Sequence, residues 1–419
     1  MSELSLTSKK GGVAITSLGL WLLVAPISFG YHGSEISWND FLCGFFVLLF
    51  GFLALKTKRN LFIKGPALVG LWLQLAPLFF WAKEPAAYLN DTLVGMLLMI
   101  VAFSLPGIVD DEDKEEAPLG WSFNPSSWGP RSVTVFLALI CWLLARYLAA
   151  YQLGYIQEVR DPFFGDGSMK VISSSVAKLF PVSDAGLGAF GYSLEFLLGF
   201  IGGCRRWKTM PWLSICFGAM VVPAGIISIL LIVLQPILVG AFCGICLMIA
   251  VCMLVMIVLT LPEVIAAGQL LVRAKKNGKG FWAVFWKGDL SSSSLPVKPL
   301  QRTRTSVLGF TIPWNLALTL CLSVWILASP TLLALSHPAS DSNYIIGPLL
   351  FAISVISCVE LVRFLRFFNL ALGFGLCLSV FFLEGFSVLG WVSNLSTGIL
   401  VAFLSVPKGI RRERYGENA

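Results

Sequence analysis

Apolar residues along the chain fall into blocks of about 20, the length that lets a helix cross a bilayer. A hydropathy window of about 19 residues places twelve of them, at 13–31, 40–55, 66–81, 92–109, 132–151, 183–203, 211–235, 237–260, 309–334, 345–362, 368–387 and 394–410. Short segments rich in polar residues, Gly and Pro separate them. The pattern predicts an all-α, polytopic membrane protein with about 12 transmembrane helices.

The blocks are related to one another. GLWLLVAP at 19–26 returns as GLWLQLAP at 70–77, and Asn39-Asp40 with Gly44 returns as Asn90-Asp91 with Gly95. Both features shift by 51 residues, so the repeating unit is a hairpin of two helices. Trp suits the headgroup belt, and Pro suits the point where the first helix leaves the bilayer. Asn343 with Gly347 and Asn394 with Gly398 repeat at the same shift, and Trp325 with Pro330 keeps the separation of Trp21 and Pro26. Two repeat pairs therefore flank a non-repeating stretch with four predicted spans. The pattern resembles the SPW-repeat membrane module, whose Ser-Pro-Trp signature is degenerate here: Ala-Pro at 25–26 and 76–77, Ser-Pro at 329–330. The resemblance covers 1–108 and 309–412.

Composition sharpens the class. Hydrophobic residues make up 57%, charged residues 13%, and the mean hydropathy is +0.83. A soluble domain carries roughly 25% charge, so a soluble enzyme is excluded, and so is a disordered chain. The net charge of +7 first suggests an acidic partner. With the N-terminus placed in the cytoplasm, all 30 Lys and Arg except Lys83, Arg146, Arg160, Lys170 and Lys178 fall on the cytoplasmic side. The charge thus records orientation, with both termini cytoplasmic, and points to no nucleic acid. The apolar run after Lys9 and Lys10 reads as the first transmembrane helix rather than a cleaved signal. The acidic run from Asp110 to Glu116 reads as a solvated linker. Phe281, Trp282, Phe285 and Trp286, beside several Lys, suit a short helix on an anionic membrane surface, with partner binding as the alternative.

Candidate chemistry sits in the middle stretch. Of ten cysteines, most lie alone in apolar helices, where a thiol is a small hydrophobe. Cys243-Gly244-Ile245-Cys246 differs, because i,i+3 places both on one helix face within disulfide reach. Such a pair is poised for exchange, and the orientation puts it on the outer, oxidising side. Spacing alone leaves a redox pair and a chance pair both open. Glu195 and Arg146 are ionisable residues inside spans, which are costly and often functional; Arg146 could also snorkel to the interface. Two histidines, His32 and His337, support no metal site.

The order of motifs adds to this. Ser183, Asp184, Gly186 and Tyr192 open one helix; Arg205-Arg206-Trp207 follows; a third helix leads past Pro236 to the CxxC helix. Residues 132–262 resemble the vitamin K epoxide reductase family, membrane four-helix bundles that couple thiol–disulfide exchange to a quinone. The resemblance implies that Cys243 exchanges with a partner thiol and that Cys246 faces the quinone. It implies that Ser183, Asp184 and Tyr192 line the quinone, with Asp184 in place of an Asn. An Asp donates a hydrogen bond to a quinone oxygen only when protonated. Ser183 and Asp184 also suit the N-cap and first-turn acid of their helix. Glu195, as an ionisable residue inside a span, suits either pairing with a polar neighbour or a proton route for quinone reduction.

Two family features are missing. The loop 152–182 has no Cys, so no internal relay exists, and Ala250 replaces a tyrosine past the CxxC. A plain quinone, ubiquinone or menaquinone, is then expected rather than an epoxide. The electron donor is expected to be a thioredoxin-like protein or small thiol on the outer face. The same loop, with Asp161-Pro162-Phe163-Phe164-Gly165-Asp166-Gly167-Ser168, Ser173–Ser175 and Phe180-Pro181, suits either a lid on the bundle or an ordinary connector.

The expected layout is a repeat pair at 1–108, a cytoplasmic linker at 109–130, a reductase-like four-helix bundle at 131–275, an interfacial linker at 276–308 and a second repeat pair with a basic tail at 309–419. The expected function is a membrane thiol–disulfide/quinone oxidoreductase, in a bacterial inner membrane. The alternative is a membrane scaffold or transporter with a vestigial redox bundle.

Overall fold

A computed structural model describes residues 3–57, 60–104, 116–178, 181–289, 294–296 and 309–416. The acidic run at 110–115, Phe180 and most of the Ser-rich segment 290–306 lie outside the described residues. The N-terminal part holds α1 (Glu3–Ser28), α2 (Glu35–Thr57), a short α3 (Asn60–Lys64), α4 (Pro66–Phe79) and α5 (Pro85–Ser104). Strand β1 (Glu116–Pro118) follows. The middle holds α6 (Trp128–Gln152), short α7 (Gly167–Ile172), α8 (Asp184–Phe200), short α9 (Arg206–Thr209), α10 (Pro211–Leu234), α11 (Gly244–Lys276) and short α12 (Phe281–Lys287). Strand β2 (Ser294–Pro296) pairs antiparallel with β1. The chain ends in α13 (Trp314–Leu332), α14 (Ala339–Ser357), α15 (Arg366–Phe382) and α16 (Val388–Leu404).

Each predicted span overlaps a helix among the described residues. Among the described residues, ten helical segments are long and apolar enough to cross a membrane. Helices α8 and α16 have 17 residues each, a rise of about 26 Å against a hydrocarbon core of about 30 Å. The protein is therefore an all-α integral membrane protein. One helix is much longer than its apolar block suggests. The block at 237–260 stops before Pro262, but α11 runs on to Lys276. Its extension is polar because its partners are polar. Glu263 is fully sequestered by Arg206, Ser126 and Ser214, and Arg273, Lys275 and Lys276 complement the negative helix end.

The fold has two compact units: Met1–Asp113 with Val135–Arg160 and Ile172–Gly203, and Lys114–Thr134 with Asp161–Val171 and Cys204–Ala419. In the first, α1 pairs with α2 and α4 with α5, and α8 packs on α4. Close backbone approach explains the recurring glycines. A Cβ on Gly70 would lie 2.5 Å from the Gly95 carbonyl, and one on Gly95 would lie 2.5 Å from the Gly70 carbonyl. Gly19 and Gly44 meet in the same way in the first hairpin. Without a hydrophobic drive inside lipid, such small-residue seams let helices associate. Trp21 Nε1 donates to Asn90 Oδ1 at 2.8 Å, and Trp72 Nε1 donates to Asn39 Oδ1 at 2.7 Å. Each hairpin thus reaches across to the other at equivalent positions.

In the second unit, α13 pairs with α14, α15 with α16, and α10 with α11. Its core joins Trp121, Phe123, Trp207, Leu270, Leu271 and Tyr415. Arg206, read from sequence as part of a basic turn, is buried and bound to Glu263. Lys208 binds Glu116. The predicted surface helix forms as α12, with Trp282 and Trp286 exposed and Val284 buried.

Candidate functional site

The second unit carries the CxxC pair at the start of α11. A π-helical turn at Gln235–Val239 continues α10, and Gly240 at φ +69° then reverses the chain. Cys243 is the N-cap of α11 in extended conformation, and its Sγ accepts the Cys246 N–H at 3.1 Å. Cys243 and Cys246 form a disulfide, with Cα atoms 5.2 Å apart. Gln235 Oε1 accepts the Cys243 N–H at 2.9 Å. The sequence reading gave Gln235 no role; its only signal was an amide beside Pro236 at the end of an apolar helix.

The segment Asp161–Val171 closes over this helix end. Asp161 Oδ1 accepts the N–H groups of Phe163 and Phe164 at 2.8 and 2.9 Å. Its Oδ2 accepts the Gly244 N–H at 2.8 Å and the Ser168 hydroxyl at 2.6 Å. A carboxylate from a loop thus caps the positive end of α11. Ser168 Oγ also lies 3.3 Å from Cys243 Sγ. Phe164 packs on Phe242 with ring centroids 5.5 Å apart. A Cβ on Gly244 would displace the Asp161 carboxylate that caps the helix. Cys243 is 0% exposed, whereas Cys246 is half-buried. Burial alone would raise the Asp161 pKa; the bonds from Ser168, Phe163, Gly244 and Phe164 outweigh it and hold the carboxyl at about 2. Asp161 is therefore an anion at neutral pH.

The first unit holds the remaining predicted residues. Ser183 is the N-cap of α8, with Oγ accepting the Gly186 N–H at 2.9 Å. Its hydroxyl donates to Gln152 Oε1 at 2.6 Å. The Gln152 amide nitrogen donates to Asp184 Oδ1 and to the Ile172 carbonyl. Gln152, the last residue of α6, thereby fixes both Ser183 and Asp184, and it was not singled out from sequence. Asp184 Oδ1 also accepts the Ala185 N–H at 2.7 Å, so this oxygen acts as an acceptor. Tyr192 lies on α8 about 13 Å beyond Ser183 at 1.5 Å per residue and is half-buried. Glu195 lies a turn further, 2% exposed, and its Oε2 has no hydrogen-bond partner among the described residues. Arg146 does not snorkel. It is 8% exposed, with its guanidinium 4.6 Å from the Trp142 ring centre and 5.6 Å from that of Tyr88. Aromatic faces replace water around it.

Among the described residues no cluster of His, Cys, Asp and Glu could hold a metal ion. The sequence-predicted residues thus fall into two groups, Cys243 with Cys246 in one unit and Ser183, Asp184, Tyr192 and Glu195 in the other. Residues 132–261 match the vitamin K epoxide reductase family, and residues 11–105 match the SPW repeat domain. No curated protein and no solved structure matches the chain. The first match covers the stretch that the motif order singles out, and the second falls within the first of the two repeat pairs. The chain is a membrane protein in which one segment matches the SPW repeat domain and a second matches the vitamin K epoxide reductase family.

Proposed function

We propose that this protein is a thiol–disulfide/quinone oxidoreductase of the bacterial inner membrane, with both termini cytoplasmic. The observation that carries the reading is the Cys243–Cys246 disulfide at the N-terminus of α11, within the family-matched segment. A dithiol on the outer face, from a thioredoxin-like protein or a small thiol, attacks Cys243 as thiolate. The S–S bond breaks, a mixed disulfide forms on Cys243, and Cys246 leaves as thiolate. The second donor thiol then resolves the mixed disulfide. The donor leaves oxidised and both cysteines are reduced. Two electrons and two protons then pass to a bilayer quinone, ubiquinone or menaquinone. It leaves as quinol, and the disulfide re-forms.

Cys243 is buried beneath the Asp161 segment, so attack requires that segment to lift. Ser183, Asp184 and Tyr192 are the proposed quinone contacts. The Ser183 proton is engaged with Gln152, so a quinone oxygen would take that proton in place of Gln152 Oε1. Glu195, with its free carboxyl oxygen, is the proposed relay for protons.

Alkylation of membranes tests the reading. Cys243 and Cys246 should resist a thiol reagent before reduction and react after it. Adding quinone to the reduced protein should restore resistance. Alkylation without prior reduction, or no protection by quinone, would overturn the proposal.

A further inference from the structure

The N-terminal repeat pair buries two carboxyl groups that the redox chemistry does not use. Asp40 lies in the second turn of α2 and Asp91 in the second turn of α5, each 0% exposed. The two side chains interact with one another across the hairpin pair. Tyr31 Oη donates to Asp40 Oδ2 at 2.7 Å, and Asn39 Nδ2 donates to Asp40 Oδ1 at 3.3 Å. Asn90 Nδ2 donates to Asp91 Oδ1 at 3.2 Å, and also to Tyr31 Oη at 3.3 Å. Asp91 Oδ2 has no hydrogen-bond partner although it is buried. The groups facing the pair are Tyr31, Asn39, Cys43 and Asn90; no Lys, Arg or His among the described residues pairs with either acid.

The second repeat pair supplies an internal comparison. Asp40 and Asp91 stand four residues before Gly44 and Gly95; Asn343 and Asn394 stand four residues before Gly347 and Gly398. Gly44, Gly95 and Gly398 each meet a glycine of the neighbouring helix, and Gly347 packs on the Leu327 backbone. A Cβ on Gly398 would lie 2.7 Å from the Gly373 carbonyl, as Gly95 faces Gly70. At the matching place, Asn343 Nδ2 donates to Asn394 Oδ1 at 3.0 Å, and Asn394 Nδ2 donates to Asn343 Oδ1 at 2.7 Å. Two amides satisfy each other; two carboxylates cannot, since both only accept. The repeat therefore packs without acids, and the acids in the first copy demand something that the second does not.

We propose that Asp40 and Asp91 form a proton-binding site in which one proton is shared between the two carboxyl groups. Two adjacent buried carboxylates repel, and one added positive charge removes the conflict. The surroundings select a proton over a metal ion. Trp72 and Trp21 occupy the amide oxygens of Asn39 and Asn90, so the amides turn their N–H groups toward the acids. A metal ion would then meet donors where it needs oxygen ligands. A proton needs only the bare Asp91 Oδ2 and its facing carboxyl.

The test is infrared spectroscopy of the purified full chain in lipid at neutral pH. The spectrum of the unaltered protein minus that of the double variant Asp40→Asn/Asp91→Asn should contain one carboxylic acid carbonyl and one carboxylate. The double variant recreates the amide pair of the second repeat and should fold with unchanged or higher thermal stability. If it fails to fold, the single variant Asp91→Asn serves. It should lose the carboxylic acid band and keep one carboxylate. Two carboxylate bands with no acid band would overturn the proposal, as would release of the proton one-for-one by added sodium.

Discussion

At the scale of residues, Asp161 is the group on which access to the disulfide turns. It holds the loop to Gly244 and Ser168. Asp161→Ala should speed reduction of Cys243–Cys246 by a small dithiol about tenfold, the equivalent of about 1.4 kcal/mol. Stopped-flow thiol release reads this out, and equal rates would show that the loop does not guard the pair. The pH dependence has a defined sign. The folded-state pKa is lowered to about 2, so the stabilisation is fully present above the ordinary carboxylate range and is lost as pH falls through about 2. The Asp161 contribution to protection should therefore be flat between pH 5 and 8, which starts about one unit above the ordinary Asp value, and fade only in acid.

Much of this was legible in sequence, and the reasons are physical. Cys243 and Cys246 declare themselves because i,i+3 spacing fixes their geometry locally. Ser183 and Asp184 open a helix, where cap chemistry is local too. Gln152 and Gln235 were not legible. Each acts on a partner 8 to 33 residues away, and an amide at a helix end carries no pattern of its own. Asp40 and Asp91 were visible as a repeat, but their mutual approach depends on tertiary pairing.

At the scale of elements, the glycine seam sets hairpin geometry. Gly95→Ala places a methyl against the Gly70 carbonyl and should cost about 1–3 kcal/mol through overpacking. Gly191→Ala in α8, with open space around it, should be neutral or stabilise by up to about 1 kcal/mol through helix propensity. Thermal unfolding of both in detergent checks the contrast, and equal loss would refute the seam. In α11 the buried Arg206–Glu263 pair anchors the polar extension. Glu263→Gln removes the charge that balances a buried guanidinium and should cost about 3–5 kcal/mol. Replacing both partners by Met should recover much of that loss, and a double-mutant cycle measures the coupling. Hydropathy ended this helix near residue 260 because it cannot see that Glu263 would be neutralised by a residue 57 positions earlier.

At the scale of the molecule, apolar patterning marked the membrane helices, and the first repeat pair lies where the SPW repeat domain matches. The compact units cut across the family-matched segment, with α8 in one and α10 and α11 in the other; periodicity carries no record of that division. The central claim is that electrons leave a thiol and reach a quinone through Cys246. It is tested most directly by thiol-dependent quinone reduction with purified protein in lipid vesicles, comparing the unaltered chain with Cys246→Ala. The unaltered chain should reduce quinone at the expense of a dithiol, and Cys246→Ala should lose this activity at least a hundredfold while folding normally, a difference of about 2.7 kcal/mol or more. Equal turnover by the two proteins would contradict the proposed function.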